Sequence, residues 1–414
     1  MSLRCLKRPG VRPLIVLIAV SAAALIAGTT YGAFSSTTSN SGNSFQASSI
    51  FPCGSFAPLW MNGFEHGFVS AAGTPDGQFD SVSNGGGTIA VDNNVTRSSG
   101  YSLRIPDTSV LGASNAQITF PPDTPSTVVV RFAIRLETLP GNVSLAFIDA
   151  GTDLVFGFNG SGRFRLTSGS TTVTSPNTVL VDTWYLIDLL ANFGANPNTA
   201  NWQIDGVPQT SLSSGVAAST AAGIGWGSTA ILENYTANYD DILVSLSSGD
   251  YPFGDGRILR LSPNANTFPV TNFQDHDSTA IDANSWDNID DDPMTGTTNY
   301  IKQIAIDSTG YVQVDFNNPG ECVKAVFATL AFANGSTTAN NGKASIFDGA
   351  TERVVYTGTM SSSALTYRMT RIDPTSSPWN QNTINGLVAR IGYSGDVSPE
   401  PRWQALALEY ETKP

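Results

Sequence analysis

Histidine and charge are both scarce in this sequence. Only two histidines occur, His66 and His276, and only 13% of the 414 residues are charged. A Ser-His-Asp triad needs a histidine beside its nucleophile, and no Gly-x-Ser-x-Gly turn precedes either one. The sequence also lacks a phosphate-binding loop and a dinucleotide-binding fingerprint. These absences argue against the corresponding hydrolytic and nucleotide-dependent activities.

Basic residues are outnumbered by acidic ones. The sequence holds 21 Lys and Arg against 34 Asp and Glu, which gives a net charge of −13. No basic stripe is present to neutralise phosphates, so nucleic acid is not an expected partner. Low charge together with many Gly, Ser, Thr and Asn residues is typical of an all-β extracellular protein. The length suffices for two domains.

Cysteine is almost absent as well. Cys5 lies in the leader described below, which leaves Cys53 and Cys322. Neither belongs to a Cys-x-x-Cys pair or to a zinc-binding spacing. Two interpretations stay open, a disulfide formed in an oxidising compartment or two free thiols, because pairing cannot be read from sequence.

Long amphipathic helical patterns are missing after residue 33, and strand alternation replaces them. In "TVVVRFAIRLE" one face carries Val128, Val130, Phe132, Ile134 and Leu136. "YVQVDF" places Val312, Val314 and Phe316 on one face, and "WQALALEYE" places Gln404, Leu406, Leu408 and Tyr410 opposite Trp403. "LVFGFNGSGRFRL" predicts a hairpin. Short strands at this spacing predict an all-β fold, two tandem β-sandwich or jelly-roll domains after an N-terminal signal helix.

Domain limits follow from composition. Ser, Gly, Asp and Pro cluster in "SLSSGDYPFGDGRI", between two strand-rich regions. We therefore predict a signal peptide at 1–33, a polar lead-in at 34–55, a jelly roll at 56–250 and a second β-sandwich at 256–414. The lead-in is either a linker or a segment whose two phenylalanines dock on a sheet.

The first 28 residues have the pattern of a secretory signal. A basic start, "MSLRCLKRPGVRP", precedes the apolar run "LIVLIAVSAAALIAG". The run is shorter than the roughly 20 residues that a spanning helix needs. An uncleaved anchor is the alternative interpretation. Contact with a membrane is expected only through this segment before cleavage.

The following stretch, "GTTYGAFSSTTSNSGNSF", resembles the cleavage region of SipW-dependent secreted proteins of the TasA-like and camelysin-like type. The resemblance covers about the first 47 residues and concerns export, not activity. It implies cleavage at Gly32/Ala33 or at Ala33/Phe34. It also implies an extracellular or cell-surface location.

The predicted first domain opens with "NGFE", continues with "SSGYSLRI" and closes with "NYDDILVSL". These elements, in this order, resemble the concanavalin A-like jelly rolls, including laminin-G-like domains and related carbohydrate-binding modules. The resemblance implies a structural Ca²⁺ between the first and last strands, with Glu65, Asp240 and Asp241 as ligands. The alternative is that Asp240 only ends a strand while Glu65 is solvated.

Sugar binding in such a module would use aromatic faces. The candidate residues are Trp60, Trp202, Trp226 and Tyr235. Each has an alternative role in the core, because large aromatic residues are usually largely buried. Trp226, in the Gly-rich stretch "GIGWGS", is the candidate least committed to a core.

Features of both predicted domains bear on the function. "ASIFDGATERVVYTG" and the C-terminal stretch resemble β-sandwich regions of phage structural proteins, which implies assembly or adhesion. Glucanases of the concanavalin A-like group use Glu-x-Asp-x-x-Glu on one strand, and this sequence lacks that motif. We therefore expect a non-enzymatic surface or matrix protein that binds a polysaccharide or cell-surface glycan.

Two alternatives stay open. One is a structural subunit of an extracellular fibre or phage-like appendage, in which residues 34–47 add as a strand to a neighbouring subunit. The other is a divergent glycoside hydrolase that uses Glu65 or Glu233.

Overall fold

The chain forms an all-β protein of antiparallel strands, as the alternation in the sequence predicts. The computed structural model describes residues 58–67, 69, 78–98, 100–108, 112–120, 125–230, 233–268, 272–282, 284–290, 299–304, 310–317, 319, 323–334, 340–360, 366–374, 379, 384–392 and 401–412. The predicted signal at 1–33, the lead-in at 34–55, Cys53 and Cys322 lie outside these residues. No helix in the described part of the chain is both long and apolar enough to span a membrane.

Among the described residues, sixteen strands precede residue 246. They are β1 (Trp60–Asn62), β2 (Ser81–Asn84), β3 (Ala90–Asp92), β4 (Ser102–Asp107), β5 (Ser114–Thr119), β6 (Thr127–Leu136), β7 (Val143–Ala150), β8 (Leu154–Asn159), β9 (Arg163–Ser168), β10 (Thr171–Thr174), β11 (Trp184–Asn192), β12 (Asn198–Ile204), β13 (Val207–Pro208), β14 (Leu212–Ser214), β15 (Ala221–Gly227) and β16 (Tyr235–Ser245).

The part of the chain after residue 256 that the structure describes forms eleven strands. They are β17 (Arg257–Leu261), β18 (Pro263–Phe268), β19 (Phe273–Asp275), β20 (Ile301–Gln303), β21 (Tyr311–Phe316), β22 (Val323–Asn334), β23 (Asn340–Asp348), β24 (Thr351–Met360), β25 (Thr366–Ile372), β26 (Leu387–Gly392) and β27 (Pro401–Thr412). Single 3-10 turns span Ser248–Asp250 and Ser285–Asn288.

The first sandwich consists of two sheets. Sheet 1 has the strand order β10-β9-β8-β7-β15-β5-β2. Sheet 2 has the order β13-β12-β11-β6-β16-β4-β3, with β1 paired to β16 and β14 paired to β12. The predicted hairpin is present as β8 and β9, closed by a hydrogen bond of 3.0 Å from Gly162 N to Asn159 O.

The second sandwich also consists of two sheets. Sheet 3 has the order β19-β20-β27-β22-β25, with β17 paired to β27, and sheet 4 has the order β18-β21-β26-β23-β24. The predicted inner face of β21 is confirmed, because Val312, Val314 and Phe316 all lie in the core of this sandwich.

Each sandwich has its own apolar core. The predicted face of β6, from Val128 to Leu136, packs into the first core beneath sheet 1. Burying each large side chain contributes roughly 1.5–3 kcal/mol. The second core brings Leu406, Leu408 and Tyr410 of β27 together with residues of sheet 4. It also contains Trp403, which the alternation had placed on the opposite face.

A third cluster joins sheet 2 to sheet 3. Its members are Met61, Val129 and Leu243 from sheet 2, Ile258, Ala325 and Phe327 from sheet 3, and Phe253 from the connection between them. The four sheets therefore stack in the order 1, 2, 3, 4. Both faces of sheets 2 and 3 contact protein, while the outer faces of sheets 1 and 4 lie at the two ends of the stack.

Candidate functional site

The three predicted calcium ligands lie in sheet 2 and the turn beside it. Glu65 follows β1, and Asp240 and Asp241 lie within β16, which pairs with β1. Pairing between β16 and β6 shifts between Asp240 and Leu243, and Asp241 has a φ of 51°. Such a bulge re-aims consecutive side chains. All three carboxylates are buried, so Glu65 is not solvated.

Asp241 is fully engaged by protein donors. Ser98 Oγ donates to Asp241 Oδ1 over 2.5 Å, and the Ile258 N–H donates to the same oxygen over 2.7 Å. The other oxygen pairs with the Arg97 guanidinium. Asp241 therefore does not fit the predicted role of calcium ligand, because an arginine already neutralises its charge.

Asp240 and Glu65 converge on the segment 97–100. Asp240 Oδ2 accepts hydrogen bonds from the backbone N–H groups of Arg97 and Ser98, at 2.8 and 3.2 Å. A Cβ placed on Gly100 would lie 2.3 Å from Glu65 Oε2. Burial raises the pKa of Asp240 well above its usual value, and the neighbouring Asp241 charge contributes a smaller increase.

Calcium binding by Glu65 and Asp240 stays a prediction, and Asp240 Oδ1 also accepts a hydrogen bond from the Asp241 N–H over 2.7 Å. In the described part of the chain, no three His, Cys, Asp or Glu side chains are arranged around a common metal position. Glu65 and Asp240 are buried oxygen donors, the kind that Ca²⁺ prefers, and main-chain carbonyls are its usual complement. A bound ion would offset the cost of burying the Asp240 charge.

The four aromatic candidates for sugar binding lie inside the first sandwich. Trp226 is 0% exposed, Trp202 and Tyr235 are 1% exposed, and Trp60 is 7% exposed. Trp60 stacks on Trp226 with 5.4 Å between ring centroids. The structure therefore places these rings in the core and not on a binding surface. The predicted cleavage residues, Gly32, Ala33 and Phe34, lie outside the described residues.

Sequence reasoning missed a polar arrangement around Glu233, in the connection between β15 of sheet 1 and β16 of sheet 2. Pairing of β7 with β8 shifts between Ser144 and Ala146, and both carboxylate oxygens of Glu233 accept from the Ser144 N–H, at 3.0 and 3.1 Å. Partial burial raises the pKa of Glu233, against the effect of hydrogen bonds from Ser228 and Ser144. This half-buried carboxyl is held at the surface of the sheet.

Arg165 lies near enough to Glu233 to act on it electrostatically, without a direct ion pair among the described residues. Gly157 on β8 pairs with Arg165 on β9, and a Cβ on Gly157 would lie 3.4 Å from Arg165 Nε. The arginine therefore lies across the position that a larger residue would fill. Its positive charge acts to lower the pKa of Glu233. We call Ser144, Gly157, Arg165 and Glu233 the Arg165–Glu233 surface.

A second carboxylate lies beneath this surface. Asp107 is 0% exposed, and burial raises its pKa above the usual value. Ser228 hydrogen-bonds to both Asp107 and Glu233. Asp107 thus supports the position of Glu233 through Ser228, and protein covers it from above.

The Arg165–Glu233 surface offers a cation and an anion that interact electrostatically. A guanidinium donates several hydrogen bonds in one plane, and a carboxylate accepts several. Together they suit a ligand with many hydroxyl groups. The predicted hairpin contains both Gly157 and Arg165, but the register that pairs them comes from the structure. Glu233, in contrast, reaches the surface from outside any predicted strand.

Comparison with known proteins gives partial structural similarity. No protein-family model and no curated protein matches the chain. The cellulose-induced protein Cip1 aligns with a TM-score of 0.36 and 18% identity, over 45% of this chain and 97% of that one. Domain 4 of AbnA, an extracellular arabinanase from Geobacillus stearothermophilus in complex with arabinotriose, aligns with a TM-score of 0.30 and 14% identity, over 41% and 83%. Alginate lyase vAL-1 from a Chlorella virus aligns with a TM-score of 0.31 and 9% identity, over 41% and 92%.

Proposed function

We propose that this chain is a secreted, non-enzymatic protein that binds a polysaccharide at the Arg165–Glu233 surface. The observation that carries the proposal is the position of Arg165, which lies beside Gly157 and acts electrostatically on Glu233. A guanidinium and a carboxylate held beside each other can bind neighbouring hydroxyls of one sugar, one as donor and one as acceptor. The flat face of a sheet leaves room for a polymer on either side.

Burial of the second carboxylate favours binding over hydrolysis. Glycoside hydrolysis uses two carboxyl groups that flank the scissile bond. Glu233 is half-buried at the surface, whereas Asp107 is 0% exposed. Asp107 could flank a substrate only if the sandwich opened. We therefore give Asp107 the role of positioning Glu233 through Ser228.

Export is part of the same proposal. The leader with its basic start and apolar run, together with the low charge of the chain, supports secretion. Ca²⁺ held by Glu65 and Asp240 would stabilise sheet 2 in an extracellular medium, where weak calcium sites are occupied. Nucleic acid is not a proposed partner, because the net charge of −13 opposes phosphate binding.

A glycan array with the mature full-length protein, in the presence of calcium, tests the proposal. We expect binding to at least one polysaccharide, with an affinity about tenfold lower in Arg165→Met and in Glu233→Gln. Arg135→Gln is a matched control, because Arg135 pairs with Asp182 on sheet 2. A folded protein that gives no signal on the array, or equal binding by all variants, would refute the assignment.

The two alternatives give different results in the same material. Release of reducing sugar that Glu233→Gln abolishes would identify a hydrolase. Filaments in electron micrographs that disappear when residues 34–47 are deleted would identify a fibre subunit.

A further inference from the structure

The outer face of sheet 4, at the opposite end of the stack, carries an arginine held between two aromatic rings. The guanidinium carbon of Arg390 lies 4.4 Å from the ring centroid of Tyr311 and 4.1 Å from that of Phe347. Its Nε donates to Gln313 Oε1 over 2.7 Å. Stacking and this hydrogen bond fix the plane of the guanidinium.

The register of sheet 4 explains why these residues meet. Arg390 on β26 pairs with Gln313 on β21 and with Ser345 on β23. Tyr311 and Phe347 lie two positions from those partners, on the same face of their strands. The inner face of the sheet carries the apolar residues of the second core. The arginine therefore belongs to the outer face, where it is half-buried.

The terminal nitrogens of Arg390 are available to a ligand. The described residues provide no partner for them, because the only hydrogen bond of this side chain uses Nε. The nearby acid Glu352 is occupied, since Lys343 Nζ lies 2.6 Å from it and Ser345 Oγ donates to it over 2.7 Å. In the described part of this face, Arg390 therefore forms no direct ion pair, although its charge acts on Glu352 and lowers the pKa of that carboxyl.

Apolar surface adjoins this cation. Val354 is 45% exposed on the edge strand β24, and the half-buried Val388 lies beside Phe347. A ligand for this face therefore combines an anionic group with an apolar surface. A hexopyranose that carries a carboxylate has both, since its C–H face packs on apolar side chains while its carboxylate forms a two-point contact with guanidinium.

We propose that the outer face of sheet 4 binds a uronic acid polysaccharide, with Arg390 as the receptor of the sugar carboxylate. Tyr311 and Phe347 hold the guanidinium in place, and Gln313 sets its direction. This site is separate from the Arg165–Glu233 surface, which lies on the other sandwich and has its own ligand. The chain would then have two sugar-binding faces at the two ends of its stack.

Titration calorimetry of the full-length protein with polygalacturonate tests this site, with carboxyl-reduced polygalacturonate as the neutral ligand of the same backbone. We expect binding of the acidic polymer and at least about tenfold weaker binding of the reduced one. Arg390→Gln should bind the acidic and the reduced polymer with equal affinity. Arg390→Lys should retain only part of the preference for the acidic polymer, because an ammonium keeps the positive charge but cannot form the two-point contact of a guanidinium with a carboxylate.

Controls separate this site from other causes of binding. Arg135→Gln removes one positive charge from sheet 2 and should bind like the wild type. Melting curves of Arg390→Lys and Arg390→Gln show whether the fold is intact. If Arg390→Gln does not fold, Arg390→Lys alone decides the question, and wild-type affinity in it would overturn the proposal.

Three results would contradict the proposal. They are equal affinity for the reduced polymer, wild-type affinity in folded Arg390→Gln, and equally strong Arg390-dependent binding of dextran sulfate, which would replace a carboxylate site by a general anion site. Loss of polygalacturonate binding in Arg390→Gln with intact binding at the Arg165–Glu233 surface would show that the two sites are independent.

Discussion

Arg131 and Glu411 are 280 residues apart in the chain and form a two-point ion pair with neither side chain exposed. The distances are 2.5 Å from Nη1 to Oε1 and 2.7 Å from Nη2 to Oε2. Arg131 belongs to sheet 2 and Glu411 to sheet 3, so the pair joins the two sandwiches. Gly256 leaves room for it, because a Cβ there would lie 1.9 Å from Oε1.

Removing one partner of this pair should uncouple the sandwiches. Glu411→Gln removes the charged two-point partner of a buried arginine, and breaking a buried ion pair in this way costs about 3–5 kcal/mol. We expect calorimetry to show one unfolding transition in the wild type and two in Glu411→Gln. Asp182→Asn, which breaks the partly exposed pair with Arg135, should cost less than about 1 kcal/mol. An unchanged single transition in Glu411→Gln would contradict the coupling.

A buried carboxyl next to Arg131 should make stability depend on pH. Burial raises the pKa of Asp188 from 3.8 to about 6, more than the positive charge of Arg131 lowers it. Because the folded state holds this proton more tightly, the contribution of Asp188 to stability is complete below pH 3.8 and is lost as the pH rises through 6. The loss amounts to about 3 kcal/mol at most.

Asp188→Asn should remove this loss, because an amide imitates the protonated carboxyl. We expect the variant to exceed the wild type in free energy of unfolding at pH 7 and to match it near pH 4. Asp149→Asn, at an exposed position of β7, is the control and should follow the wild type at both values. Denaturant titrations at a series of pH values measure the difference. A constant offset between Asp188→Asn and the wild type would contradict the linkage.

Alternation in the sequence predicts the faces of the strands but not what covers them. The apolar face of β6 is confirmed, yet its other face, with Val129 and Arg131, is buried too, because sheet 3 packs on it. The contact depends on residues such as Glu411, whose sequence neighbourhood gives no sign of a buried partner. Trp403 was misplaced for a local reason. Pairing of β22 with β27 shifts between Ala331 and Phe332, which brings Trp403 onto the core face.

The candidate sites, like the fold, could be predicted only in part from the sequence. "NGFE" and "NYDD" correctly point to carboxylates at the junction of β1 and β16, but Asp241 is taken by Arg97, which lies 144 residues away. Tryptophan was the wrong guide to a binding surface in the first sandwich. The Arg165–Glu233 surface depends on a bulge at Ser144, and no pattern in the sequence predicts that bulge.

Calcium should stabilise the first sandwich through Glu65 and Asp240. After treatment with a chelator, we expect the melting temperature to fall, and millimolar calcium should restore it, because binding to the folded state alone adds free energy by mass action. Asp240→Asn should lower the response to calcium. Asp149→Asn, with its side chain on the outer face of sheet 1, should respond like the wild type. A melting temperature that changes with neither chelator nor calcium would contradict calcium binding at this site.

Trp226 should matter for folding and not for sugar binding. Its ring lies between Trp60 and Phe79, with centroid distances of 5.4 and 6.1 Å. Trp226→Ala would leave a cavity in the first core and should cost about 3–5 kcal/mol. Arg165→Met should do the reverse, lowering polysaccharide affinity while the melting temperature hardly changes. Paired melting and binding measurements on the two variants check this. If folded Trp226→Ala protein lost polysaccharide binding while its melting temperature stayed unchanged, Trp226 would belong to the binding site and not to the core.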